Sequence, residues 1–319
     1  MEIQVTSRNE SKTVKAALGD FIFHCKYEKG LSKKTMMAYH IDLSQLEKYL
    51  IEKFSIEQIE MVSKDMIKSY LQNIASYKYK TIKRKIASMK AFFSFYEFEN
   101  ETFINPLRKL KIRLKEPQIL PTVMCFNEVK MILRFLYQER IKNKQLDSYT
   151  YKSQTRNIAI IELLFATGIR VSELCQLQYK DIDLTYGTIK VYGKGNKERI
   201  IQICSKEVLS ILKDYRALFK PSSHFFINRL GHEISSQSVR LLVKRCVNEL
   251  NLSKHITPHT FRHTFATLLL EEDVDIKYIQ NLLGHSSIVT TQIYTHVNLS
   301  KQKKILSNKH PRNKFDFNL

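Results

Sequence analysis

The run Leu283-Gly284-His285-Ser286-Ser287-Ile288-Val289-Thr290-Thr291-Gln292-Ile293-Tyr294-Thr295-His296 sets a histidine nine residues ahead of a tyrosine. Gly284 reads as the left-handed residue that closes a helix, and His285 stands just beyond it. Ser286 or Ser287 can cap a short helix leading to Tyr294. A tyrosine among 16 in one chain is most often a core or interface side chain, so only its neighbours single this one out.

Two upstream segments carry matching polar groups. Thr257-Pro258-His259-Thr260-Phe261-Arg262-His263 opens with threonine as N-cap and proline at the first helical position. His259 and Arg262 then share one face of the first turn, and Phe261, Phe265, Leu268 and Leu269 mark the core face. The positive end of a helix favours an anion, here met by an imidazole and a guanidinium. Ala166-Thr167-Gly168-Ile169-Arg170-Val171-Ser172-Glu173-Leu174 ends one helix at Gly168 and begins an amphipathic segment at Val171. Arg170 between them is fixed in charge and bidentate, which suits a pair of phosphate oxygens. Glu173 can orient Arg170 by a salt bridge, or it is a surface carboxylate.

Between these segments, Thr188 to Tyr192 and Arg199 to Ile203 alternate as strands around Gly193-Lys194-Gly195-Asn196-Lys197, a hairpin signal. Either Lys194 or Lys197 can serve a site at that turn. The spacing of a nucleotide-binding phosphate loop is absent.

The 319-residue chain has 52 Lys and Arg against 31 Asp and Glu, a net charge of +21, which predicts a polyanionic partner, nucleic acid before membrane. Residues 1–120 hold 22 basic and 14 acidic side chains, the remainder 30 and 17, so both halves are expected to touch phosphates. Five scattered cysteines without a CxxC argue for free thiols and against a zinc site. No apolar stretch approaches the ~20 residues of a membrane helix, and Met1 to Thr13 lacks a signal core, so a cytoplasmic location is expected.

The first ~110 residues read as helices. Ser32 caps one whose apolar positions are Met36, Ile41, Leu43, Leu46 and Leu50; Ser63 caps another with Met66, Ile67, Tyr70, Leu71 and Ile74. A third, about Thr81 to Phe98, packs Ile82, Ile86, Met89, Phe93 and Tyr96 and turns Lys80, Lys83 and Arg84 outward. Asn105-Pro106 ends this unit. From Lys111 to Pro121 the chain reads as extended, which sets Lys111, Arg113 and Lys115 on one side. Asn127 is expected to cap a helix through Leu136. A polar loop or helix end follows at Gln138 to Thr155, then a buried helix from Asn157 to Ala166.

The four segments around Arg170, Lys194, His259/Arg262 and His285/Tyr294, in that order and spacing, resemble the tyrosine recombinases of the phage integrase family, with a Xer-like layout. The resemblance is specific over about Phe165 to Val297 and loose in the N-terminal half. It implies a mainly α fold: a helical core-binding domain (1–110), a basic linker (111–121), and a mostly helical catalytic domain with a small antiparallel β-sheet (122–319). It implies Arg170, Lys194, His259, Arg262, His285 and Tyr294 as the catalytic set, with Glu173 in support and His263 structural. Lys194 is favoured over Lys197 on that ground.

Lys80, Lys83, Arg84, Lys111, Arg113, Lys115, Arg240 and Lys244 are the candidate DNA contacts. The implied activity is site-specific cutting and rejoining of double-stranded DNA through a 3′-phosphotyrosine, for integration, excision, inversion or resolution. No cofactor or metal is implied. The implied assembly is a homo-tetramer on two DNA sites, or one shared with a partner recombinase, with no membrane. A type IB topoisomerase-like relaxase and a catalytically silent DNA-binding regulator are the alternatives.

Overall fold

Thr13 starts the first helix, its hydroxyl accepting from the Ala16 amide at 3.1 Å. In the computed structural model the described residues are 11–112, 114, 121–143, 145, 146, 148–193, 198–219 and 223–284. They belong to two units, Met1–Gln118 and Ile119–Leu319.

The first unit is helical: α1 (Val14–Phe23, running on into a π turn at His24–Glu28), α2 (Lys33–Phe54), α3 (Lys64–Asn73) and α4 (Tyr79–Glu99). Ser32 and Ser63 cap α2 and α3 as expected, each accepting from the amide three residues on. Phe21 of α1 meets Tyr39, Phe92 and Phe95 at ring-centroid distances of 5.3 to 5.7 Å. Burying each such ring contributes about 1.5–3 kcal/mol.

The expected stripe of α2 is wrong at one position. Ile41 is 47% exposed, while Asp42 is buried with Leu43, Leu46 and Leu50. Residues 42, 46 and 50 lie on one line of a helix, so the turn that buries the leucines also carries the carboxylate inward. Asp42 accepts there from Lys85 Nζ at 3.2 Å, from Ser88 Oγ at 2.9 Å, and from Arg84. Lys85, itself 2% exposed, also donates to Gln45. Lys80, Lys83 and Arg84 are all exposed as expected, and Arg84 in addition pairs with the buried Asp42.

The second unit holds α5 (Phe126–Lys142), α6 (Tyr149–Thr167), α7 (Val171–Gln176), strands β1 (Ile182–Asp183), β2 (Thr188–Tyr192) and β3 (Glu198–Gln202), then α8 (Lys206–Leu218), α9 (Ser236–Glu249), α10 (Pro258–Glu271) and α11 (Ile276–Leu283). The three strands form an antiparallel sheet in the order β1-β2-β3, with Val191 opposite Arg199. Of the two readings of the polar stretch 138–155, loop or helix end, the second is the better: α5 runs to Lys142 and α6 begins at Tyr149. α5 is capped by Cys125 and not by Asn127, because the Glu128 carboxylate turns back to the Cys125 amide at 2.6 Å.

α6 is the centre of this unit. Ile158 to Leu164 are all buried, surrounded by α5, α7, α8 and α10. It stops at Gly168, where φ is +59°. A Cβ there would lie 2.6 Å from Phe265 Cδ1 and 2.9 Å from Leu283 Cδ2, so both backbone conformation and space demand glycine. The five cysteines are unpaired. Among the described residues no helix is long and apolar enough to cross a membrane.

Candidate active site

The glycine stop of α6 projects Arg170 into the N-cap position of α7. Three residues later, Glu173 accepts from the Arg170 amide at 3.0 Å and from its guanidinium at 2.7 Å. The same carboxylate takes a second guanidinium from β3. Arg199 donates to its two oxygens at 2.9 and 2.7 Å. Burial by itself raises the Glu173 carboxyl. The hydrogen bonds and charge of Arg199, followed by those of Arg170, outweigh it and hold the group below the usual carboxylate value. Glu173 is thus buried, ionised and bonded to Arg170, and the surface-carboxylate reading is set aside.

α10 begins as its sequence predicts, with Thr257 at the N-cap and Pro258 first in the helix. The Thr257 amide donates to Thr260 Oγ1 at 3.0 Å. The inward face differs from the expectation: Thr264, Ala266 and Thr267 are buried, while Phe265, Leu268 and Leu269 are only partly so. Thr264 is buried because its hydroxyl accepts from the Met124 amide at 2.9 Å, which straps the start of the unit to α10.

Arg262 is 4% exposed and so lies deeper than a surface phosphate ligand would. Its guanidinium donates to the carbonyls of Gly168 at 2.7 Å and Leu283 at 2.6 Å. Arg170 donates to the neighbouring Gly284 carbonyl at 2.9 Å. The carbonyl end of α11 carries partial negative charge, which suits it to guanidinium donors. Gly284 closes α11 with φ +64°, as expected of a helix-ending glycine.

His259 keeps an exposed edge on the first turn of α10. Its pKa is lowered, first by desolvation and then by the charges of Arg262, Arg240 and Arg170. The imidazole therefore stands amid three cations and is neutral at pH 7. His263, one turn inward, is pushed down to about 4, chiefly by burial and further by His259 and Arg262.

The described structure therefore brings Arg170, Glu173, His259 and Arg262 together from α7 and α10 at the end of α11. Arg240 lies exposed on α9 with its charge felt at His259, and Lys244 is exposed one turn on. Lys80, Lys83 and Lys111 are exposed in the first unit. Lys194, His285, Tyr294, Arg113 and Lys115 lie outside the described residues, as does Lys197. Sequence reasoning missed Arg199. Its signal was a cation in phase with Ile201 and Ile203, on the inward face of an alternating strand.

Comparison with known proteins bears on this arrangement. The model of the phage integrase family matches residues 128–301, and that of the phage integrase N-terminal SAM-like domain matches residues 18–100. A tyrosine recombinase of Agathobacter rectalis is 45% identical over 305 residues, covering 94% of this chain and 98% of the relative. Tyrosine recombinase XerD of Halalkalibacterium halodurans is 35% identical, covering 94% and 99%. Among solved structures, XerH site-specific recombinase bound to a palindromic difH substrate, in a post-cleavage complex, superposes with a TM-score of 0.71. It shares 24% identity over 94% of this chain and 98% of that one, a likeness of fold.

Proposed function

The chain belongs to the phage integrase family of tyrosine recombinases, and on that premise we propose that Tyr294 cuts and rejoins DNA at specific sites within the cradle of Arg170, His259 and Arg262. The observation that carries this reading is the meeting of the two guanidinia on the carbonyls of Leu283 and Gly284, eleven and ten residues ahead of Tyr294.

A scissile phosphodiester is an anion, and attack on it gathers charge on the non-bridging oxygens. Arg170 and Arg262 stabilise that charge as fixed cations. The phenol of Tyr294, with a pKa of ~10 in water, loses its proton as it attacks, and the neutral imidazole of His259 accepts it. A bond forms between the phenolic oxygen and phosphorus, and the bond from phosphorus to the 5′ oxygen breaks. Lys194 gives that leaving oxygen its proton, and His285 donates to the phosphate. The product is a 3′-phosphotyrosine, which conserves the free energy of the broken bond. Attack by a 5′ hydroxyl of another strand reverses the steps and needs no ATP. Glu173 holds Arg170 in place throughout.

Double-stranded DNA is the substrate, and the +21 charge draws it in. Exposed Lys80, Lys83, Lys111, Arg240 and Lys244 contact its phosphates, with Arg113 and Lys115 in the linker and Arg84 adding its charge beside them. The acting form is a homo-tetramer on two DNA sites, and the protein works in the cytoplasm. A type IB-like relaxase or a silent regulator is not favoured, given relatives named as recombinases along their whole length.

Suicide substrates nicked beside the cut site test the reading. Wild type is expected to trap a covalent adduct, in EDTA as well, while Tyr294→Phe binds the same DNA and traps none. An adduct formed by the Phe variant would overturn the nucleophile.

A further inference from the structure

We propose that Arg199 is a positioning residue of the cleavage step, joining the hairpin strand β3 to the Arg170–Glu173 pair and to the last turn of α11. The inference rests on the recombinase reading above.

Three contacts carry it. Arg199 grips Glu173 with two parallel bonds, at 2.9 and 2.7 Å, the geometry in which a guanidinium is most tightly oriented. Arg170 bonds the same carboxylate, so the position of the Arg170 guanidinium depends on how Arg199 holds Glu173. The third nitrogen of Arg199, Nε, donates to the Leu282 carbonyl at 3.3 Å. The stem and guanidinium also lie against Gly284: a Cβ built there would be 3.0 Å from both Arg199 Cδ and NH1. The side chain is only 14% exposed and all three of its nitrogens are engaged within the protein.

Chain connectivity makes this node consequential. Arg199 follows Lys194 by five residues along the hairpin, and Gly284 directly precedes His285. One guanidinium thus ties the strand that leads from the proposed acid to the carboxylate that orients Arg170, and to the turn from which the nucleophile segment departs. A displacement of about 1 Å in such a group costs on the order of 100-fold in rate. Lysine offers one point charge and cannot span both Glu173 oxygens and the Leu282 carbonyl together.

The test uses the full chain with Arg199→Gln, Arg199→Lys, Glu173→Gln and the double variant Arg199→Gln/Glu173→Gln. Adduct formation on the nicked substrate, DNA affinity and thermal unfolding are measured for each. Arg199→Gln is expected to bind DNA within about threefold of wild type but form adduct about 10- to 100-fold more slowly. Arg199→Lys is expected to fall between the two. The double variant is expected to be no slower than the slower single variant, because both act through one group. Wild-type adduct rates in Arg199→Gln, or rate losses that multiply in the double variant, would overturn the proposal. Where Arg199→Gln fails to fold, Arg199→Lys and its double with Glu173→Gln decide by the same criterion. If neither variant folds, the residue is structural and the proposal fails. A wild type that itself forms no adduct at Tyr294 would instead overturn the recombinase reading.

Discussion

The guanidinium of Arg262 bonds the Leu283 carbonyl at 2.6 Å while its other terminal nitrogen bonds the Gly168 carbonyl at 2.7 Å. One buried side chain thereby joins α10 to both left-handed glycine turns, one ending α6 and the other ending α11. The group proposed to stabilise a phosphate is also a strut of the fold.

Arg262→Ala is accordingly expected to affect more than chemistry. It strands two carbonyl oxygens in a buried setting and should destabilise the second unit by about 2–4 kcal/mol. Urea unfolding followed by near-UV circular dichroism measures this. A loss below about 1 kcal/mol would mean that water replaces those bonds without cost.

His259 has a pKa below its ordinary 6.5, from desolvation and from the charges of Arg262, Arg240 and Arg170. The neutral imidazole, the form that accepts a proton, therefore persists into mildly acidic solution. The rate of adduct formation is expected to fall only below pH 6.5. His259→Gln should lower the rate about 100-fold and remove that acidic limb. An unchanged limb in the variant would assign it to another group.

His263 contributes to the pH dependence of stability. Its folded pKa of about 4 lies below the 6.5 of a free imidazole, so the unfolded chain takes up the proton first as the solution is acidified. The stabilisation is complete above pH 6.5 and is lost as pH falls toward 4. Allowing for screening at a partly exposed ring, the loss is on the order of 1–2 kcal/mol. His263→Gln should flatten the melting temperature against pH in this window relative to wild type. Parallel curves for the two proteins would contradict the assignment.

In the first unit, Asp42→Ala leaves Lys85 buried without its carboxylate. A destabilisation of about 3–5 kcal/mol is expected, read as a shift in the unfolding transition of that unit. Asp42→Ala combined with Lys85→Met removes the stranded charge and should recover most of the loss. A double variant no more stable than Asp42→Ala would show that packing, not the ion pair, set the effect.

Much of the architecture was legible in local chemistry. Ser32, Ser63, Thr257 and Pro258 start helices where short-range hydrogen bonds and proline geometry require them, and Gly168 and Gly284 end them where φ turns positive. The alternation at 188–192 and 199–203 likewise announced a hairpin. The cap of α5 was misread because Asn127 is a good capping residue in isolation, whereas Glu128 reaching back to Cys125 selected the earlier start.

The chain of letters alone determined most helix starts and stops and which polar groups recur in the order of a phosphate-cutting site, because capping, periodicity and charge act over a few residues. Tertiary structure alone decided that Arg84 turns to Asp42, that Arg262 is buried, and that Arg199 shares Glu173 with Arg170. Each of those outcomes joins groups 21 or more positions apart. A charged side chain is settled by whichever desolvated partner the packing brings within 3 Å, and no local pattern records that partner.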